Sequence, residues 1–127
     1  MDLLLDTHAF LWFITGDNQL SNIAVDEINN EANRCFVSIA SIWEIAIKIS
    51  LNKLEIKGGF NVIDDFLQNN DVIVLPIDLD DTKELLTLEK HHSDPFDRMI
   101  IAQATSSNMV IITKDQYFKN YKVNIIW

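Results

Sequence analysis

Short apolar runs alternate with longer amphipathic stretches along this 127-residue chain. Leu3–Leu5, Phe36-Val37, Val72–Leu75, Val110–Ile112 and Val123–Ile126 read as strands, and Pro76 stops the third of them. Between them lie stretches with helical spacing. Thr7–Ile14 begins the first and Gly16-Asp17-Asn18 ends it. Ser21 to Ala32 suits a second, capped by Ser21 or Asn22, with Ile23, Ala24 and Ile28 on one face. Ile42–Leu51 is a third, and Phe60, Ile63, Phe66 and Leu67 mark a fourth. Asp80–Glu89, capped by Asp80 or Asp81, is a fifth, and Pro95–Thr105 a sixth. Strands buried on both faces and joined by helical crossovers predict one α/β domain over residues 1–127. Its sheet should be central and mostly parallel, of about five strands, with right-handed connections and helices on both faces.

Composition narrows this picture only a little. Hydrophobic residues make up 48% of the chain, enough for a real core, and three glycines and two prolines leave no linker-like tract. The single cysteine, Cys35, sits in an apolar run, which predicts a buried, reduced thiol. No basic leader precedes a long apolar stretch, so the expectation is a soluble cytoplasmic protein with no membrane association. The net charge is −9, from 19 acids against 10 bases, which argues against nonspecific nucleic-acid binding. It argues less against an enzyme that grips phosphates through metal ions.

The acids change the picture more. Asp6, Glu44, Asp97 and Asp115 fall where apolar runs break, at strand ends and helix starts. Carboxylates at the carboxyl ends of parallel strands converge on one pocket, and packed like charges call for a cation. Each acid also has a plain structural use. Asp6 suits an N-cap for the helix at Thr7, and Ser41-Ile42-Trp43-Glu44 has the form of a capping box. If that helix instead begins at Ser38, Glu44 lies beyond its first turn, with Lys48 placed for an i,i+4 ion pair. In Asp94-Pro95-Phe96-Asp97, Asp94 is the better cap and Asp97 the better inward ligand. Asp115 suits a turn. Hard oxygen donors favour Mg²⁺ or Mn²⁺ over zinc. His8 reads as packing or substrate-edge, and His91-His92 as the end of a solvated helix. Trp12, Phe13 and Trp43 read as core aromatics. HExxH, CxxC, Walker-A and GxSxG patterns are absent.

Four blocks in order carry a resemblance. They are Leu5-Asp6-Thr7-His8-Ala9-Phe10-Leu11-Trp12, Ser38 through Lys48, Asp94 through Ala104, and Thr113-Lys114-Asp115. Together they resemble the signature blocks of PIN-domain proteins, above all the VapC-type toxins of bacterial toxin–antitoxin pairs. The resemblance implies a Mg²⁺- or Mn²⁺-dependent endoribonuclease, dimeric and inhibited by a small antitoxin. Its four acids fall on Asp6, Glu44, Asp97 and Asp115, and Thr7 and Thr113 take the place of the Ser or Thr beside the site. On this reading Asp6 and Asp97 hold the metal most directly, and Glu44 ligates through water or acts as general base. Asp115 completes the site, and Arg98, Lys48 and Lys114 contact phosphate. Two other readings compete: a non-catalytic PIN-like module that binds RNA or protein, and a structure-specific DNA nuclease.

Overall fold

The computed structural model describes residues 1–127. Five strands form one sheet: β1 (Asp2–Leu5), β2 (Arg34–Ser38), β3 (Val72–Leu75), β4 (Val110–Ile112) and β5 (Ile125–Ile126). Their order is β3-β2-β1-β4-β5, and every pairing is parallel. The helices are α1 (Thr7–Thr15), α2 (Asn22–Asn29), α3 (Ile39–Ser50), α4 (Asn61–Asn69), α5 (Leu79–Thr87) and α6 (Pro95–Ser107). A 3₁₀ turn, Gln116–Asn120, follows β4.

β1 shows why the sheet is buried on both faces. Leu3 and Leu5 enter one core with Ala9, Phe10 and Ile45, while Leu4 enters the other with Ile100, Ile101 and Phe118. Side chains alternate across a strand, so an all-leucine run feeds both layers. Cys35 is buried and free, burial raises its thiol pKa, and its Sγ donates to the Ile28 carbonyl. No helix is long and apolar enough to cross a membrane.

The chain steps from β1 outward to β2 and β3, then crosses back to place β4 on the other side of β1. The connections therefore diverge between β1 and β4, and a crevice at the carboxyl ends of those two strands follows. Asp6 ends β1 there, and its N–H reaches the Ile112 carbonyl of β4 at 3.1 Å.

Several helix boundaries differ from the sequence expectation, among them the end of α2, at Asn29 rather than Ala32. α3 starts at Ile39 rather than Ile42, because the Ser38 hydroxyl accepts the Ala40 N–H at 3.0 Å and caps it. The capping-box reading of Ser41 and Glu44 is thereby overturned. α5 starts at Leu79, capped by Asp78 in a reciprocal box with Asp81, and not by Asp80 or Asp81. It also ends early, at Thr87. Trp43 is not in the core: it is 60% exposed, its ring edge-on to Phe96. Trp12 and Phe13 pack partly buried against the first core.

Candidate active site

Asp6 is 4% exposed and both of its oxygens are engaged. Oδ1 accepts the Ala9 N–H at 2.8 Å, capping α1, and Oδ2 accepts the Thr113 hydroxyl at 2.5 Å. Thr113 Oγ1 in turn accepts the Asp115 N–H at 3.0 Å. One threonine thus ties the end of β1 to the segment that carries Asp115. Asp115 Oδ1 accepts the Tyr117 N–H and caps the 3₁₀ turn, as the turn reading expects. Burial raises the Asp6 pKa, although the bonds from Thr113 and Ala9 oppose it.

Glu44 enters from α3, the helix whose early start puts it beyond the first turn. It is 7% exposed, with Oε1 accepting the Thr7 hydroxyl at 2.7 Å. Thr7 Oγ1 also lies 2.9 Å from Ser41 Oγ, and Lys48 Nζ lies 3.0 Å from Glu44 Oε2. A buried carboxylate held by a hydroxyl and an ammonium keeps its charge at lower cost than an isolated one. Replacing Thr7 by Val keeps the shape and removes the hydroxyl. The expected loss is about 1–3 kcal/mol in urea unfolding, because buried Glu44 and Ser41 lose that partner.

Asp94 takes the cap role its spacing suggests. Asp94 Oδ1 accepts the Phe96 and Asp97 N–H groups at 2.9 and 3.0 Å and caps α6, with Pro95 as the first helical residue. Asp97 accepts no hydrogen bond through its carboxyl. Burial pushes its pKa up to about 8, and the charges of Asp94, Asp6, Asp115 and Glu44 push the same way. The acids of four separate segments therefore act on one carboxyl group.

No three Asp, Glu, His or Cys side chains stand close enough to cage an ion. The donor chemistry nonetheless fits a hard divalent cation. The set is all oxygen, and Asp97 bears the repulsion that a cation would relieve. Asp6 also retains acceptor capacity, since an ionised carboxylate offers about four lone-pair sites and two are used. A cleft of about 410 Å³ opens elsewhere, among Asn29, Asn33, Cys35 and Val72 at the amino ends of β2 and β3. It holds none of the four acids.

Three further residues complete the arrangement. Lys114 is exposed, its Nζ 5.9 Å from the Trp12 ring, on which His8 also stacks. Arg98 is committed elsewhere: its guanidinium donates to the Glu89 carbonyl at 3.0 Å and the Tyr121 hydroxyl at 3.1 Å. It braces the loop between α5 and α6, in place of the phosphate contact suggested by the sequence. His92 corrects the expectation of a solvated helix end. α5 stops before it, and the loop folds back so that its side chain is 9% exposed with Nε2 3.5 Å from Asp97 Oδ2. Only its place two residues before Asp94 hinted at this in the sequence.

A five-stranded parallel sheet with acids at the β1–β4 crevice defines an α/β domain, and comparison with known proteins specifies its family. Residues 3–124 match the model of the PIN domain family. The chain belongs to that family. No curated protein sequence matches it. Among solved structures, it is similar to a chain of VapBC2 from Rickettsia felis bound to a promoter DNA fragment, at 17% identity and a TM-score of 0.75. That match covers 99% of this chain and 98% of the other. DNA-bound VapBC from Salmonella typhimurium shows 18% identity and a TM-score of 0.72 over 99% and 97% of the two chains. VapBC-5 from Mycobacterium tuberculosis, a member of the VapBC family of toxin–antitoxin systems, shows 19% and 0.66 over 98% and 97%. At these identities the likeness is one of fold.

Proposed function

We propose that this chain is a divalent-metal-dependent endoribonuclease and the toxin of a toxin–antitoxin pair. The observation that carries this reading is Asp97, an α6 carboxyl lifted to about 8 by its burial and by four surrounding acids. A fold has no structural need for that repulsion, whereas a phosphodiester hydrolase uses it to hold a cation. The VapBC likeness supports the toxin role and a small antitoxin as partner.

Asp6 and Asp97 would hold Mg²⁺ or Mn²⁺, with Glu44 and Asp115 beside them. Bound there, the ion would neutralise phosphate charge and acidify a water. The chain's own residues do the rest. Thr113 fixes the Asp6 carboxylate against β4, and Thr7 fixes Glu44 against α3. Glu44 is placed to take a proton from the attacking water or to ligate through water. Lys48 and Lys114, half-exposed and exposed, reach a phosphate at the rim. Exposed Trp43, Leu79 and Leu86 offer apolar surface for a second copy or the antitoxin.

The test is cleavage by the purified protein of a single-stranded RNA and of a flap DNA, with Mn²⁺, with Mg²⁺ and with EDTA. RNA should be cut at internal positions in either metal and left intact in EDTA, and the flap should survive. Cutting of the flap alone would make the protein a DNA nuclease. Intact RNA under every condition would leave a binding module.

A further inference from the structure

Tyr121 gathers an unusual number of donors around His92. Its hydroxyl lies 3.2 Å from the His91 N–H, 3.3 Å from the His92 N–H and 3.1 Å from Arg98 Nη1. A phenol oxygen has lone pairs for about two strong acceptances and one hydrogen to give. Three N–H groups already converge on the oxygen, so the hydrogen must go outward. The acceptor available to it is His92 Nδ1, at 2.8 Å. If Nδ1 carried hydrogen instead, four donors would face one oxygen and the phenol hydrogen would have no acceptor. The network therefore assigns the imidazole hydrogen to Nε2.

Nε2 is also the nitrogen that faces the acids. It is a fully buried ring atom without a hydrogen-bond partner, and Asp97 Oδ2 is 3.5 Å away. The ring cannot swing aside: it lies parallel to Tyr117 at 5.4 Å and packs against Phe118 and Tyr121. Tyr117 and Phe118 belong to the 3₁₀ turn that Asp115 caps, so the segment carrying Asp115 also walls in His92. A buried N–H aimed from just beyond bonding distance at a carboxyl group that accepts no other hydrogen bond is a contact that ligand binding commonly draws tight.

We infer that His92 is the positioning residue of Asp97: Tyr121 locks its ring in the Nε2–H form, and that N–H orients the Asp97 carboxylate for its ligand. The inference rests on the nuclease reading above and adds a residue to its site.

Two measurements test it. The first is the side-chain ¹⁵N spectrum of His92 in the metal-free protein, with and without Asp97→Asn. The expected result is the Nε2–H tautomer, with an Nε2 signal that shifts in the variant. An Nδ1–H tautomer, or a signal indifferent to Asp97→Asn, overturns the inference even if the protein is a nuclease. The second compares Mn²⁺ binding and RNA cleavage in His92→Phe, which keeps the stack on Tyr117, and in His92→Gln, which returns an N–H near the Nε2 position. His92→Phe should weaken Mn²⁺ binding and lower kcat by about 10–100-fold with KM for RNA unchanged. His92→Gln should recover most of that loss. Parent-like behaviour of His92→Phe, or equal loss in both variants, overturns the inference alone. A parent that neither binds Mn²⁺ nor cuts RNA overturns the nuclease reading, and the positioning role with it.

Discussion

Asp97→Asn is expected to make the metal-free protein more stable at neutral pH while abolishing the metal-dependent cleavage proposed for it. The sign follows from linkage. Burial and neighbouring acids lift the folded-state pKa of Asp97 from 3.8 to about 8. Between those values the folded chain holds a proton that the unfolded chain has released, so stability falls as pH rises through this window. Below it, both states are protonated and the contribution is whole. Asparagine carries no charge to bury, so the variant should lack this component of the pH dependence. Thermal melts in EDTA across the window should show parent and variant alike at the acid end. The variant should gain as pH rises, with a shift of roughly 3–5 °C for each 1 kcal/mol in a domain of this size. Added Mn²⁺ should close the gap by stabilising the parent and not the variant. Parallel melting curves at every pH would mean that Asp97 feels no such repulsion.

Substitution of Asp6 separates the structural from the chemical use of a carboxylate. Asp6→Ala removes the cap of α1, worth about 1 kcal/mol, and leaves the buried Thr113 hydroxyl without its acceptor, worth about 1–3 kcal/mol. Relief of the buried charge offsets part of this, since burial already holds the Asp6 pKa above its ordinary value. The net expectation is destabilisation of about 1–3 kcal/mol in denaturant unfolding. Asp6→Asn keeps an oxygen for the Ala9 N–H and turns its Nδ2 donor toward Thr113 Oγ1, so the Thr113 contact survives only with its direction reversed. With the buried charge also removed, it should unfold closer to the parent than Asp6→Ala does. Both variants should lose about 10³-fold or more in RNA cleavage. An active Asp6→Asn would reduce Asp6 to a cap.

The contrast between these two acids shows what the sequence carried and what it did not. Asp6-Thr7 after an apolar run, and Asp94-Pro95 ahead of Asp97, are local signals. Cap chemistry and proline geometry act within one turn, and the structure places both aspartates accordingly. The sheet was legible for a similar reason, since continuous apolar runs admit few alternatives to buried parallel strands. Glu44 was harder, because Ser41 and Ser38 are both competent caps and only the packed start of α3 decides between them. Thr113 bridging 107 residues back to Asp6 has no local signature. The bonds of Arg98 and the burial of His92 were illegible for one cause. Both answer to Tyr121, more than twenty residues downstream, and a loop that turns back on itself leaves no periodicity to follow.

A divalent cation held by these acids from separate strands and helices should be seen in calorimetric titration of Mn²⁺ into the parent and into Asp97→Asn. Saturable binding by the parent is expected, with its loss in a variant that remains folded and melts higher. No binding by the parent, or undiminished binding by the variant, would contradict it.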